Sequence, residues 1–228
     1  FPNLPEAVAA ANAGDRILVR RGDYNPATIA KPLRIVGEPG AALVDSRGFL
    51  RIQSIGREDQ VVIRGFRLQI IEVRIENCDG SVHFEDMERG RYRAFNCRRL
   101  SMQNCQFCCS TFTASRVILT DSQGSGVPGL YLSRPIVASR SRISVVGGHY
   151  EGASSGSQGW PAISSSNSDF WHTGAATILA GQGRTYPASA ININGCSVAI
   201  DPSVSVRGSG GRLPVSGPGS VVRRYVPS

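Results

Sequence analysis

The amino-acid sequence predicts an all-β fold: a single-stranded, right-handed parallel β-helix (a solenoid) with a short capping helix at its N-terminal end. Three observations predict it. A short strand pattern recurs along the middle of the chain at an offset of about 19 residues. Within each recurrence apolar and polar residues alternate, which places them on opposite faces of a strand. The chain also opens with one helical segment followed by strand, turn and strand.

The opening helix has a defined start. Asn3 can cap it, and Glu6 three residues later completes a capping box. Pro5 lies in the first turn, where a missing N–H leaves no bond unmade. Leu4, Val8 and Ala11 share one face, and Gly14 is expected to end the helix. A strand over 16–20 follows, then a turn at Gly22-Asp23, a strand at Ala27 to Ile29, and another over 31–36 that stops at Gly37.

The repeats come next. Val73-Arg74-Ile75-Glu76-Asn77-Cys78 aligns with Tyr92-Arg93-Ala94-Phe95-Asn96-Cys97 at an offset of 19, and Ser110 to Ser115 continues at 18. Leu50-Arg51-Ile52 precedes them at 23. Each later repeat carries a second strand: Val82-His83-Phe84, Leu100-Ser101-Met102 and Val117-Ile118-Leu119. One coil cannot bury its own apolar face, so coils stack and share a core. Stacking predicts inward columns Ile52, Ile75, Ala94, Phe112 and Leu50, Val73, Tyr92.

Past Leu130 the rhythm loosens. Strands are expected at Leu130-Tyr131-Leu132, Ile136 to Ala138, Ile143 to Val146, Ala190 to Ile193 and Val204 to Val206. The Gly/Ser-rich stretch 147–160 is expected to leave the stack as a loop. One domain over 1–228 is expected, with a cap over 1–15, coils over 16–207 and an irregular tail over 208–228.

Three pieces of the opening resemble the start of pectin-lyase-like β-helix proteins. They are Gly14-Asp15-Arg16-Ile17-Leu18-Val19, then Gly22-Asp23-Tyr24, then Lys31-Pro32-Leu33-Arg34-Ile35-Val36-Gly37. The resemblance covers roughly residues 4–45. It implies the fold and no particular activity, because the superfamily includes lyases, hydrolases, esterases and non-catalytic proteins. The N-T-D, D-D, H-G and R-I-K pieces of polygalacturonase-like enzymes are absent. The paired aspartates of pectin-esterase-like enzymes cannot be placed among Asp45, Asp59, Asp79, Asp86, Asp121, Asp169 and Asp201. No catalytic residue is carried over.

The formal charge is +8, and all but one of the 25 basic residues are arginine, Lys31 being the exception. Arginine's planar fork pairs bidentately with carboxylate, sulfate or phosphate. Arg51, Arg74 and Arg93 occupy one outward position on three successive coils, with Arg91 beside them. Two readings follow. The column either grips an anionic glycan lying across the coils, or is neutralised by Glu72 and Glu76. Arg89, Arg98 and Arg99 add charge nearby.

Cys78 and Cys97 share a corner column, as a thiol ladder or as a disulfide between adjacent coils; Cys105, Cys108, Cys109 and Cys196 complete the six cysteines. No C-x-x-C pairs with a second one or with close histidines, so no zinc site is expected. His83 points outward, with Glu85, Asp86 and Glu88 close by; a calcium site from Asp79 and these acids is a minor alternative, and no cofactor is expected. Trp160, Trp171, Tyr150 and Phe170 either stack on sugars or fold back on the solenoid.

These features predict a non-catalytic extracellular or cell-surface β-helix, structural or adhesive, that binds acidic polysaccharide and can assemble end to end. The chain starts at Phe1 rather than Met, which fits either removal of a leader, as expected for an exported protein, or a shortened sequence. A lyase or hydrolase on an acidic glycan is the alternative. No membrane span is expected, and nucleic acid is a distant third partner.

Overall fold

The computed structural model describes residues 1–44, 48–69, 72–126, 134–155 and 157–219, together with the backbone of 221–224. Leu130-Tyr131-Leu132 and Asp45 lie outside the described residues.

The helix Leu4–Ala10 starts as its capping residues dictate: the Glu6 amide donates to Asn3 Oδ1 at 2.9 Å, and Asn3 Nδ2 donates to Glu6 Oε1 at 2.7 Å. It ends at Ala10, four residues before Gly14, which serves the next turn with φ of 88°. Leu4, Ala7 and Val8 close the first coil from above.

Every coil contributes strands to up to three faces, and each strand pairs in parallel with its equivalent one coil away. The two longest strands, Glu72–Glu85 and Arg91–Gln103, run along two faces and bend at the corner between them. Phe49–Gln53, Ser110–Thr113, Ile136–Ser139, Ile163–Ser166 and Ile191–Asn194 extend the first face. Gln60–Arg64, Arg116–Thr120 and the starts of Arg142–Glu151 and Asp169–Leu179 extend the second. Gln106–Phe107, Gln123–Ser125 and the end of Arg142–Glu151 belong to the third. The chain is thus a parallel β-helix.

The expected columns form. Leu50, Val73 and Tyr92 are in register, as are Ile52, Ile75, Ala94 and Phe112, and all are buried. An aromatic run climbs the interior from Phe84 through Tyr92, Phe107 and Tyr150 to His172, with neighbouring centroids 5.1–6.4 Å apart.

A single residue makes each corner. Between the first and second faces these are Ser54, Asn77, Asn96, Ala114, Arg140 and Asn167, all with φ between 47° and 55°. Asparagine tolerates this left-handed region better than other side chains. Asn96 Nδ2 also donates to Asn77 Oδ1 at 3.1 Å, one coil below. From Asn77 onward a small inward residue follows: Cys78, Cys97, Ser115, Ser141 and Ser168. The Ser115 and Ser141 hydroxyls donate to the carbonyls of Thr113 and Ser139 and accept the amides of Cys97 and Ser115 from the coil below. Cys or Ser here satisfies backbone groups at the bend through its own side chain.

The structure departs from the expected pattern in its second half. The coil repeat lengthens: the Ser115 amide donates to the Ser141 hydroxyl 26 residues on, and the Ser141 amide donates to the Ser168 hydroxyl 27 residues on. The stretch expected to loop out from Gly147 instead continues as strand to Glu151 and pairs with Gln123–Ser125. Among the described residues only a two-strand antiparallel hairpin, Ser154–Ser155 with Gln158–Gly159, breaks the parallel order. The segment expected as an irregular tail carries Val215–Ser216 and Val221–Arg224, which pair with Ile191–Asn194 and Ser197–Ile200 as a further coil.

Candidate functional site

The outward arginines fall into two ladders with different surroundings. In the first, Arg51, Arg74 and Arg93 stand in register on three coils, as the repeat predicts. Glu72 lies in the neighbouring outward position and reaches two of them: Arg74 Nε at 2.6 Å and Arg93 Nε at 3.0 Å. Glu76 lies 3.9 Å from Arg51. The ring of Phe49 supports Arg74 at 3.9 Å and Arg51 at 4.7 Å from its centroid. Guanidinium charge is attracted to an aromatic face. Two carboxylates and one ring therefore hold this ladder flat against the sheet. Arg91, opposite Glu72, hydrogen-bonds toward Cys108.

The second ladder belongs to the second face, just past the corner. Arg99 occupies the outward position at the start of its strand segment, and Arg116 and Arg142 stand at the equivalent starts of the next two coils. Arg98 precedes Arg99, and Arg140 is itself a corner residue. Together with Asp79, Asn96 and Ala114 they line an open groove of about 460 Å³. The five guanidinium-bearing residues are exposed. Among the described residues the ion pair here is Arg142 with Asp169, at 3.6 Å, and no carboxylate comes within 4 Å of Arg98, Arg99, Arg116 or Arg140.

The backbone explains the concavity. The register slips between Cys97 and Arg99, so that Asp79 and Gly80 together face Arg98. Such a bulge bends the strand and re-aims its side chains. A Cβ at Gly80 would fall 2.2 Å from the Gly56 carbonyl oxygen, so the close approach of coils here requires glycine. Arg140 holds a φ of 50°, a conformation that costs a non-glycine residue about 1–2 kcal/mol. The same left-handed corner recurs on the other coils, so here it sets where the long basic side chain of Arg140 leaves the backbone, at the edge of the groove.

The remaining candidates separate. Cys78 and Cys97 share their column, and their thiols donate to the Glu76 and Phe95 carbonyls at 3.4 Å each. A hydrogen bond from Cys97 pulls the Cys78 thiol down to about 7, against the effect of burial, and raises Cys97 in turn. His83 points outward and bonds Ser101 on the next coil; burial lowers its pKa, so its ring is neutral at pH 7. Asp79, Glu85, Asp86 and Glu88 do not gather: Asp86 turns to Arg64 at 2.9 Å and to Asn104, which with Arg64 lowers its pKa, while Asp79 faces the groove. No group of three or more His, Cys, Asp or Glu among the described residues is placed to hold a metal ion. Tyr150, Phe170 and Trp160 fold into the solenoid, whereas Trp171 is exposed on the second face.

The second ladder was not recognised in the sequence as a column. Arg98 and Arg99 stand out there only as added charge. Arg116 and Arg142 follow at 17 and 26 residues, so no constant offset links them. The usable signal was the corner motif: Ala114-Ser115-Arg116 and Arg140-Ser141-Arg142 each carry arginine one residue after the inward serine.

These features define a parallel β-helix with a basic outer corner. No protein-family model matches the chain, and no curated protein matches it. Among solved structures it is similar to the A-module of a mannuronan C-5 epimerase from Azotobacter vinelandii, at 12% identity and a TM-score of 0.41, over 98% of this chain and 94% of that one. It is also similar to the ORF18 protein of Geobacillus virus E2, at 11% identity and a TM-score of 0.37, over 94% of this chain and 54% of that one. No helix among the described residues is long and apolar enough to cross a membrane.

Proposed function

We propose that this chain is a non-catalytic β-helix of the pectin-lyase-like kind that binds acidic polysaccharide at the cell surface or outside the cell. The observation that carries the reading is the groove at the first corner, where five arginines converge and four have no carboxylate within ion-pair distance among the described residues. Clustered like charges raise the local potential, and a matching polyanion relieves that repulsion. Guanidinium forks also fit carboxylate and sulfate geometry. The setting outside the cytoplasm follows from the ligand, since acidic polysaccharides are surface and matrix polymers. Arg51, Arg74, Arg93 and Arg91 form a secondary contact, tempered by Glu72 and Glu76. End-to-end stacking through unpaired strand edges is a subsidiary part of the proposal.

The test is retention of the protein on immobilised polygalacturonate over a salt gradient, with absorbance of the soluble polymer followed in the ultraviolet. Retention that weakens with salt, without new unsaturated product, is the expected result. Unsaturated product would favour the lyase instead. Absence of retention at low salt would remove the polysaccharide reading altogether.

A further inference from the structure

Two of the six cysteines differ from the rest. Cys78, Cys97, Cys105 and Cys196 are buried, and each thiol donates to the carbonyl two residues before it, on Glu76, Phe95, Gln103 and Asn194. Thiols packed in this way behave as small core side chains and are inert. Cys78 belongs with them despite its lowered pKa, because solvent does not reach it. Cys108 and Cys109 are consecutive and only half-buried. They form the outer corner between Gln106–Phe107 on the third face and Ser110–Thr113 on the first.

The stack holds this corner from both sides. The Cys108 amide donates to the Gly90 carbonyl on the coil below, and the Ser110 amide donates to the Pro135 carbonyl on the coil above, each at 2.8 Å. Between these two anchors Cys109 turns the chain with a φ of 49°. The two side chains meet there: the Cys108 thiol hydrogen-bonds with the Cys109 thiol and with the Arg91 guanidinium. Two sulfurs in contact, partly open to solvent and beside a fixed positive charge, are set up for thiol–disulfide chemistry. Consecutive Cα atoms lie about 3.8 Å apart across a trans peptide, closer than the roughly 4.4–6.8 Å that disulfides usually span. A bond closed between such neighbours is strained, and strained, exposed disulfides are the readily reduced ones.

We infer that Cys108 and Cys109 form a redox-active vicinal dithiol that exchanges with small soluble disulfides of the glutathione type and closes reversibly to a disulfide between neighbouring residues. This is independent of the polysaccharide reading. The bond with Cys109 and burial raise the Cys108 pKa, so Cys108 keeps its proton and Cys109 reacts first. The Cys109 thiolate attacks one sulfur of the small disulfide, and the other sulfur leaves as a thiolate. Cys108 then gives up its proton, attacks the Cys109 sulfur of the mixed disulfide and expels the second small thiolate. Arg91 favours the Cys108 thiolate at this second step. The two cysteines lose two electrons and two protons, and the small disulfide takes up both as it becomes two thiols.

The test incubates the intact chain with oxidised glutathione, alkylates the remaining thiols and maps the peptides by mass spectrometry. Cys108→Ser and Cys109→Ser are treated alongside, with their thermal midpoints compared with the parent. In the parent a disulfide joining Cys108 to Cys109 is expected, which reopens in reduced glutathione, while the other four thiols alkylate only after denaturation. Cys108→Ser is expected to stop at the mixed disulfide, with one glutathione on Cys109. Cys109→Ser is expected to take up glutathione roughly tenfold more slowly, because the thiolate fraction sets the rate. Equal rates in the two variants overturn the order of attack. Pairing of Cys108 or Cys109 with any other cysteine, or a Cys78–Cys97 bond that forms first, overturns the vicinal assignment. A closed pair that resists reduced glutathione is a structural staple and overturns the exchange site. Full alkylation of Cys108 and Cys109 after oxidised glutathione overturns the inference outright. Should either variant fail to fold, the map of the parent still decides between these outcomes.

Discussion

The two arginine ladders are built alike and behave differently. Each places one guanidinium per coil on three successive coils. In the first, Glu72 occupies the adjacent outward position and bridges Arg74 and Arg93, while Phe49 lies under Arg74 and Arg51. In the second, the adjacent position on the same coils holds Ser101, Ile118 and Ser144, none of which can neutralise a cation, and among the described residues only Arg142 is paired, with Asp169 on the next coil. A column of like charge is thus largely paired or left open according to the residue two positions along the strand. Surface charge count alone does not distinguish them.

Acid is the broadest lever on this comparison, and it acts first on the core. His172 is 1% exposed, and among the described residues neither ring nitrogen has a hydrogen-bond partner. Burial holds its pKa down at about 4, opposed by Asp201. The ordinary value in an unfolded chain is about 6.5. Below that pH the unfolded chain takes up a proton that the folded chain refuses. Stability therefore falls as pH drops from about 6.5 towards 4, by about 3 kcal/mol in all, and the loss levels off below. His172→Phe should abolish this component. Urea midpoints of both proteins between pH 7 and 4 check it, and parallel curves would show that His172 does not titrate as described. Comparing the ladders in acid is meaningful only in this variant.

Glu72→Gln is the direct way to turn the first ladder into the second. Glu72 is 17% exposed and holds two guanidiniums. Its neutralisation should lower stability by about 2 kcal/mol, between the small worth of an exposed pair and the loss on orphaning buried charges. The same variant should elute from polygalacturonate at higher salt than the parent. If neither the melt nor the elution moves, the carboxylate is not what distinguishes the ladders.

The smallest effect sharpens the comparison from the other side. Arg140→Asn places the residue used at Asn77, Asn96 and Asn167 into the same left-handed corner. It should raise stability by about 1 kcal/mol while weakening polygalacturonate retention. A gain in both would mean that Arg140 sits outside the binding groove.

Much of the fold was legible because coil length stays near 19 residues between Leu50 and Ser122. There an offset of 19 brings Arg74 and Arg93 into one column, which Arg51 joins at 23, and the same offset of 19 brings Cys78 and Cys97 into another. The alternation within each short strand also assigned Leu50, Val73 and Tyr92 to the core. Past that region the coils lengthen, and equivalent residues no longer share an offset. The strand at Gly147–Glu151 was hidden for a local reason. Its glycines and polar residues read as a loop, yet they stack against Gln123–Ser125, where the ladder of backbone hydrogen bonds does not depend on side-chain type.

The sequence by itself determined the solenoid, its first coil cap and its inward columns, because alternation and repetition are properties of the chain read in one dimension. The tertiary structure decided which arginines face an open groove. Arg99, Arg116 and Arg142 meet across gaps of 17 and 26 residues, and a bulge turns Arg98 beside them. Charge pairing depends on distances of a few ångströms between coils, and only the stacked strands set those distances.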